Sequence, residues 1–416
     1  MKETKPFTIS KGLVMRAFKL IKANAGAAGV DKQSLADFEL YLKDNLYKLW
    51  NRMSSGSYFP PPVKAVPIPK KTGGERILGI PTVTDRIAQM VVKLAFEPEV
   101  EPYFLSDSYG YRPNKSALDA IGITRQRCWR YDWVIEYDIK GLFDNLDHEL
   151  LMMAVEKHTS NKWVILYIRR WLEAPMQMQD GSLKERTTGV PQGGVISPVL
   201  SNLFLHYVFD VWMSKRYPNN PWARYADDGL VHCETEMQAK RILAELHKRF
   251  NECKLELHPL KTKIVYCKDE NRRGNYSETK FDFLGYTFRQ RAARNTKTNK
   301  IFVNFAPAAG DKAMKSMRAK TRESNIRNRT ELELKDIAQL YNPVLRGWIG
   351  YYGRYCRSAL YAVFRHFNKT LVAWVMRKYK RFKGHKTRAA ILLERIAKEN
   401  PCLFAHWKIG MVGAFD

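Results

Sequence analysis

Cysteine is sparse and scattered. Six residues, at positions 128, 233, 253, 267, 356 and 402, include no Cys-x-x-Cys pair and have no histidine cluster near them. That spacing offers no zinc module, and it fits a reducing compartment better than a disulfide framework. No apolar run approaches the roughly 20 residues of a membrane span. The opening stretch MKETKPFTISKGLVMRAFKLIKANAGAAG is interrupted by Arg16, Lys19 and Lys22, so it lacks the apolar centre of a signal peptide. The expected location is therefore cytoplasmic, with no membrane partner. Repeats and low-complexity linkers are also missing. Negative charge is in short supply: 42 acidic residues face 70 basic ones in a 416-residue chain, a net +28. Such an excess points to a large polyanion, most simply nucleic acid, ahead of a secreted basic protein or a membrane-surface binder. Between Arg289 and Asp416 there are 28 basic and 8 acidic residues, so this third carries +20 of the total and is the strongest electrostatic anchor.

What is present reads as an α+β chain, long enough for two or three domains. Leu13, Ala17, Leu20 and Ile21 fall at helical spacing after a capping Ser10. A Pro-punctuated extended stretch turns at Thr72-Gly73-Gly74, and Ile87, Met90, Val91 and Leu94 then mark a helix. Trp133 to Ile139 reads as a buried strand, followed by helices from about Asp147 and over LSNLFLHYVFDVWMSKRY. Another helix is expected near Glu236–Phe250, strands over KIVYCK and TKFDFLGYTFRQ, and a mainly helical chain from about residue 310.

The stretch ARYADDGLVHC, residues 223–233, sets two aspartates in a strand-like context that disfavours them. Asp227-Asp228-Gly229 could serve only as hairpin-turn chemistry. The same turn could instead present two carboxylates to metal. Nucleotidyl transfer needs carboxylates holding two divalent cations roughly 3.5–4 Å apart, and Mg²⁺ takes few carboxylates and otherwise binds water and phosphate oxygens. Asp138, near the end of the apolar strand VIEYDIKGLF, is the best third carboxylate. Glu136 shares its facing parity and competes for the role.

These segments, in this order, resemble a known family. RYADDG resembles the YxDD hairpin of reverse transcriptases, YDIKGLFDNLDH their first catalytic block, and GVPQGGVISPVLSNLFL the block between the two. IPKKTGGERILGIPTVTDRIAQ resembles the fingers hairpin and SYGYRPNKSALDAI the block after it. NAGAAGVD resembles a block of group II intron reverse transcriptases that retroviral enzymes lack, and LYNPVLRGWIGYY resembles their maturase, or thumb, domain. The likeness to group II intron-encoded reverse transcriptase/maturases covers nearly the whole chain.

The resemblance implies a right-hand polymerase: an amino-terminal extension over 1–60, fingers and palm over 61–288, a thumb/maturase domain over 289–372 and a basic helical segment over 373–416. It implies RNA-dependent DNA synthesis with two Mg²⁺ ions, dNTPs as substrates, and group II intron RNA and target DNA as partners in a bacterial ribonucleoprotein. Asp138, Asp227 and Asp228 would be the catalytic, metal-binding set, with the Ile139 carbonyl beside them. Phe143 would be the aromatic gate against a ribose 2′-hydroxyl. Lys70, Arg76, Gln192 and Lys261 would hold the nucleotide, and Arg112, Arg346, Arg377, Lys378, Lys380 and Arg381 would contact nucleic acid. In LELHPLKTK, His258 and Leu260 stand where the family usually has Asn and Glu. Many relatives end in a Cys/His-bearing endonuclease module. None is seen before Asp416, so no opposite-strand cleavage is expected. A splicing factor with a decayed polymerase, or a polymerase turned to repair or defence, are the competing readings; the intact aspartate set argues against the first.

Overall fold

The computed structural model describes residues 5–69, 74–294, 298–413 and 415. In chain order its elements begin with helices α1 (Lys11–Asn24), α2 (Leu35–Leu40) and α3 (Leu42–Ser54), strands β1 (Val63–Pro69) and β2 (Glu75–Ile80), and helices α4 (Val83–Val100) and α5 (Ala117–Cys128). Strand β3 (Trp133–Asp138) follows, then α6 (Leu142–Asn145), α7 (His148–His158), α8 (Lys162–Glu173), and the short strands β4 (Met176–Gln177) and β5 (Leu183–Lys184). Helix α9 (Ser197–Leu205) runs through a π-helical turn, His206–Asp210, into α10 (Val211–Arg216). Then come β6 (Trp222–Tyr225), β7 (Asp228–Cys233), α11 (Glu236–Glu252), β8 (Lys263–Tyr266), β9 (Lys280–Phe283), β10 (Tyr286–Arg294) and β11 (Ile301–Ala309), and finally α12 (Asp311–Glu323), α13 (Leu334–Tyr352), α14 (Tyr361–Lys378) and α15 (Lys386–Glu399).

The chain divides into two compact units, one of Met1–Ala120 with Ile135–Ile264, the other of Ile121–Val134 with Val265–Asp416. In the first, helices start where side chains satisfy their free N–H groups. Ser10 Oγ accepts from Leu13 N at 3.1 Å, and Asp147 Oδ1 from Leu150 N at 2.9 Å. Val14, Ala17, Phe18 and Ile21 form the buried stripe of α1, while Leu20 is exposed, so the face lies one residue on from the expected set. Two sheets organise the unit. One runs β2-β1-β4-β5, with β1 and β2 antiparallel from Lys64↔Ile80 to Pro69↔Glu75. The other runs β6-β7-β3-β8. Its strand β3 is buried along nearly its whole length, which explains the continuous apolar run WVIEYD.

The second unit packs α12 to α15 around a core that includes Phe364, Phe367, Leu371, Trp374, Phe404 and Trp407. The sheet β11-β10-β9 precedes those helices. Its nine-residue strand β11 is not legible in the sequence, because IFVNFAPAA holds a proline and three alanines that disguise its alternation. The pairing to β10, from Tyr286↔Ala309 to Arg294↔Ile301, supplies what the local sequence does not.

Candidate active site

Asp138 is the last residue of β3 and is 8% exposed. The chain beyond it is pinned by the segment before β8. His258 N donates to the Asp138 carbonyl at 2.7 Å, Lys140 N to Glu256 O at 2.9 Å, and Ile139 bridges Leu257. Gly141, at φ +59°, then turns the backbone into α6, which carries Phe143 and Asp144.

The hairpin β6–β7 approaches from the neighbouring strands. Tyr225 pairs with Asp228, leaving Ala226 and Asp227 as a two-residue turn. The turn therefore sits one residue earlier than Asp-Asp-Gly chemistry implies. Ala226 takes the left-handed conformation, φ +55°, although glycine stands only three residues on. Gly229 is needed in the strand instead, where a Cβ would lie 2.1 Å from Tyr137 Cζ of β3. Gly110 allows a second close approach, since its Cβ would lie 2.5 Å from Ala226 N.

The three aspartates thus converge. Asp138 and Asp227 line a cleft of about 820 Å³, with Ile139, Arg76, Phe143, Gln192 and Lys261 among its other walls. Burial, then the charges of Asp227 and Asp138, push the Asp228 carboxyl up to about 7, and it shares a hydrogen bond with Asp138. Burial, with the Asp138 charge behind it, also raises Asp227. Lys261 Nζ lies 2.7 Å from Asp138 Oδ2, and that bond raises the lysine. Glu136 is turned to Lys263, 3.5 Å away, and is not among the residues lining the cleft.

Three crowded carboxylates offer hard oxygen donors whose mutual repulsion a divalent cation would relieve. An ammonium already plays that part at Asp138. Among the described residues no three His, Cys, Asp or Glu side chains stand together in ligating geometry. A cation bound at Asp138 Oδ2 would compete there with the Lys261 ammonium.

Across the cleft, Arg76 Nε donates to Gln192 Oε1, and Gln192 Nε2 donates to both carboxylate oxygens of Asp144 at 3.0 Å. Asp144, absent from the expected set, thus fixes which way the Gln192 amide faces. Glycine in the Pro191-Gln192-Gly193-Gly194 loop serves packing against β2: Gly79 N donates to Gln192 O at 2.9 Å, and a Cβ on Gly193, at φ +128°, would lie 2.6 Å from Gly79 O. The Phe143 carbonyl accepts from Val190 N at 2.6 Å, which holds its half-buried ring at the cleft wall. Lys70 lies outside the described residues.

Two expected nucleic-acid contacts have internal partners. Arg112, with a side chain 7% exposed, forks onto Glu101 Oε1 at 3.0 and 2.7 Å and onto the carbonyls of Leu105, Ser108 and, at 3.4 Å, Phe104, which uses all five of its N–H groups. Its cationic group braces the loop after α4 and has no donor left to offer a phosphate. Lys378 Nζ binds Glu333 at 2.7 Å and the Leu332 carbonyl at 2.8 Å. Arg346, Arg377, Lys380 and Arg381 are exposed, and Arg381 rests over the Phe382 ring, 4.8 Å from its centre. No described helix is long and apolar enough to cross a membrane.

Residues 68–288 match the reverse transcriptase (RNA-dependent DNA polymerase) family, and residues 314–390 match the group II intron maturase-specific domain. Protein YkfC of Escherichia coli (strain K12) is 32% identical over 318 residues, covering 66% of this chain and 79% of YkfC. Group II intron-encoded protein LtrA of Lactococcus lactis subsp. cremoris is 25% identical over 424 residues, covering 81% of this chain and 68% of LtrA. A solved telomerase from Candida albicans, in complex with a fragment of telomeric RNA, aligns over 90% of this chain and 68% of its own at 13% identity, with a TM-score of 0.44, too remote a likeness to bear on function. The chain belongs to the reverse transcriptase family, joined here to a group II intron maturase domain, and is an RNA-directed DNA polymerase with an α+β fold.

Proposed function

We propose that the cleft below the Ala226-Asp227 turn is the polymerase centre, that Asp138, Asp227 and Asp228 form its reacting wall, and that the maturase domain binds group II intron RNA. The observation that carries this reading is that Asp138 of β3 and Asp227 of the β6–β7 turn line one cleft with Arg76 and Lys261, while Asp228 stands beside them in hydrogen-bond contact with Asp138. The primer 3′-hydroxyl gives its proton to water as its oxygen bonds to the α-phosphorus of a dNTP, the bond from that phosphorus to the α–β bridging oxygen breaks, and pyrophosphate leaves with the electron pair. Two Mg²⁺ ions held by the three aspartates would polarise the attacking hydroxyl and neutralise the leaving pyrophosphate. Asp138 and Asp227, facing the cleft, orient the reacting end. Arg76, released from Gln192, meets the triphosphate and offsets charge that moves during transfer. Lys261, released from Asp138, adds a second cation from the wall of the aspartates. Phe143 excludes a 2′-hydroxyl by occupying the space beneath the sugar.

The basic carboxyl-terminal third supplies phosphate contacts to intron RNA and target DNA, and aromatic residues among its cations add stacking surface. Splicing is then the RNA's own chemistry on a protein scaffold, and DNA synthesis serves intron mobility by target-primed reverse transcription, within the cell as a ribonucleoprotein. The test is primer extension on an RNA template with Mg²⁺, run beside splicing of the cognate intron at low salt. Splicing without DNA synthesis would leave the RNA-binding reading alone standing.

A further inference from the structure

Below the β6–β7 turn lies a buried guanidinium. Arg224 of β6 is fully buried, yet each of its nitrogens is satisfied. Nε and Nη2 grip the two oxygens of Asp210 at 2.8 and 2.7 Å, and Nη2 also donates to Ser108 Oγ at 2.8 Å. Nη1 reaches Asn202 Oδ1 at 3.0 Å and the carbonyl of Ala226 at 3.3 Å. The last contact touches the turn itself, at the residue before Asp227. Asn202 closes the frame from the other side: its Nδ2 donates to Gly110 O at 2.6 Å, and Gly110 is the residue against which Ala226 packs.

The helix supplying Asn202 and Asp210 is built for this grip. Positions eight apart in a straight α-helix differ by about 80° around the axis, so both could not face one guanidinium squarely. The π-helical turn His206–Asp210 advances less per residue and takes up that difference. A π turn costs hydrogen-bond geometry, and here its result is to bring Asp210 onto the face of Asn202.

We infer that Arg224, held by Asp210 and Asn202, is a positioning residue that fixes the left-handed Ala226 turn and thereby aims Asp227 into the cleft and sets Asp228 against Asp138. The inference rests on the polymerase reading of those aspartates. Arginine is required for its planar fork, because a lysine retains the charge opposite Asp210 but cannot reach Asp210, Asn202, Ser108 and the Ala226 carbonyl together.

The experiment uses the full chain and four measurements: primer-extension kcat, KM for primer–template, melting temperature, and Mn²⁺ binding read from the loss of the free-ion EPR signal. Arg224→Lys should fold and keep its KM for primer–template, but lose kcat on the order of 10- to 100-fold as the reacting groups shift. Its Mn²⁺ midpoint should rise by about 10- to 100-fold, the cost seen when groups that orient ligands are removed. Arg224→Met/Asp210→Leu removes both buried charges, which folds often tolerate. It should recover melting temperature over Arg224→Met without recovering kcat or Mn²⁺ affinity. Parent-like kcat and Mn²⁺ midpoint in either folded variant overturns the inference. So does failure of both to fold, which would make the pair a fold determinant alone. Asp227→Asn separates the two levels: if it leaves kcat and Mn²⁺ binding intact, the polymerase assignment fails; if it abolishes them while Arg224→Lys does not, only the positioning role fails.

Discussion

Lys261 Nζ stands 2.7 Å from Asp138 Oδ2, inside a group of carboxylates that also includes Asp227 and Asp228. The ammonium offsets the repulsion that burial makes costly in a cluster where Asp228 is already pushed up by burial and by its neighbours' charges. Lysine is suited to this because it is a flexible point charge, able to swing to a phosphate once another cation reaches the carboxylates. Asp138 and Lys261 are 123 residues apart in the chain, and the link is made by the segment that pins Lys140 to Glu256 and His258 to Asp138.

The first prediction concerns pH. Asp228 is held at about 7 in the folded chain, against about 3.9 for an unstructured aspartate. A raised acid binds more protons folded than unfolded. Its contribution to stability is therefore complete below the unfolded value and is lost as pH rises through about 7. His158 and His206, lowered first by burial, act in the opposite sense, so the parent slope alone is not diagnostic. In chelator-treated protein, the melting temperature of the parent should fall relative to Asp228→Asn as pH rises from roughly 5 to 8. Excess Mg²⁺ should reduce that difference. Thermal melts at several pH values check it, and parallel curves for the two proteins would sink it.

Phe143 is expected to govern sugar choice. Its main chain is fixed through Val190 and its ring lines the cleft, so removing the ring opens space without moving the backbone. Phe143→Val should lower the ratio of kcat/KM for dNTP over rNTP by one order of magnitude or more, mostly by raising ribonucleotide use. An unchanged ratio would assign the ring to packing.

The proposed catalytic wall is legible in the sequence because the chemistry is written locally: two acids in a strand-like hairpin and one at the end of an apolar strand. The frame beneath it is not. Arg224 sits in an ordinary-looking strand, and its partners are 14, 22 and 116 residues distant. Local chemistry puts the turn one residue late because Asp-Gly is the usual signal, whereas packing against Gly110 and Tyr137 decides the register. Arg112 and Lys378 show the same limit. A cation in a basic chain looks available for phosphate until a neighbouring carboxylate and a set of carbonyls are found around it.

RNA affinity should depend steeply on salt and on the exposed cations near the end of α14. Arg377, Lys380 and Arg381 are exposed, whereas Lys378 holds Glu333 and is better left alone. Reversing those three charges to Glu should weaken intron RNA binding. It should also flatten the log–log salt slope by about 3, near one per lost phosphate contact. Filter binding from roughly 50 to 200 mM salt measures both. A slope equal to the parent's would place these side chains away from the RNA.

The last prediction separates two activities that share one chain. Asp227 and Asp228 lie at a turn whose backbone is held by β6, β7 and the contact with Gly110, none of which needs their carboxylates. Removing either acid should leave the fold in place, and Asp228→Ala should even raise the metal-free melting temperature near pH 8 by deleting a buried acid. DNA synthesis should fall by orders of magnitude in both variants, because a carboxylate of the proposed metal-holding set is gone. Asp227 should matter at least as much as Asp228, since it is Asp227 that lines the cleft. Two aspartates add no attraction to phosphate, so intron affinity and splicing should persist, with slightly tighter RNA binding from the lost like charge. Polymerisation, splicing and melting temperature are to be measured on one preparation of each variant. Selective loss of polymerisation supports the metal-holding turn. Joint loss of both activities with a lower melting temperature would show instead that Asp227 and Asp228 serve only to shape the hairpin.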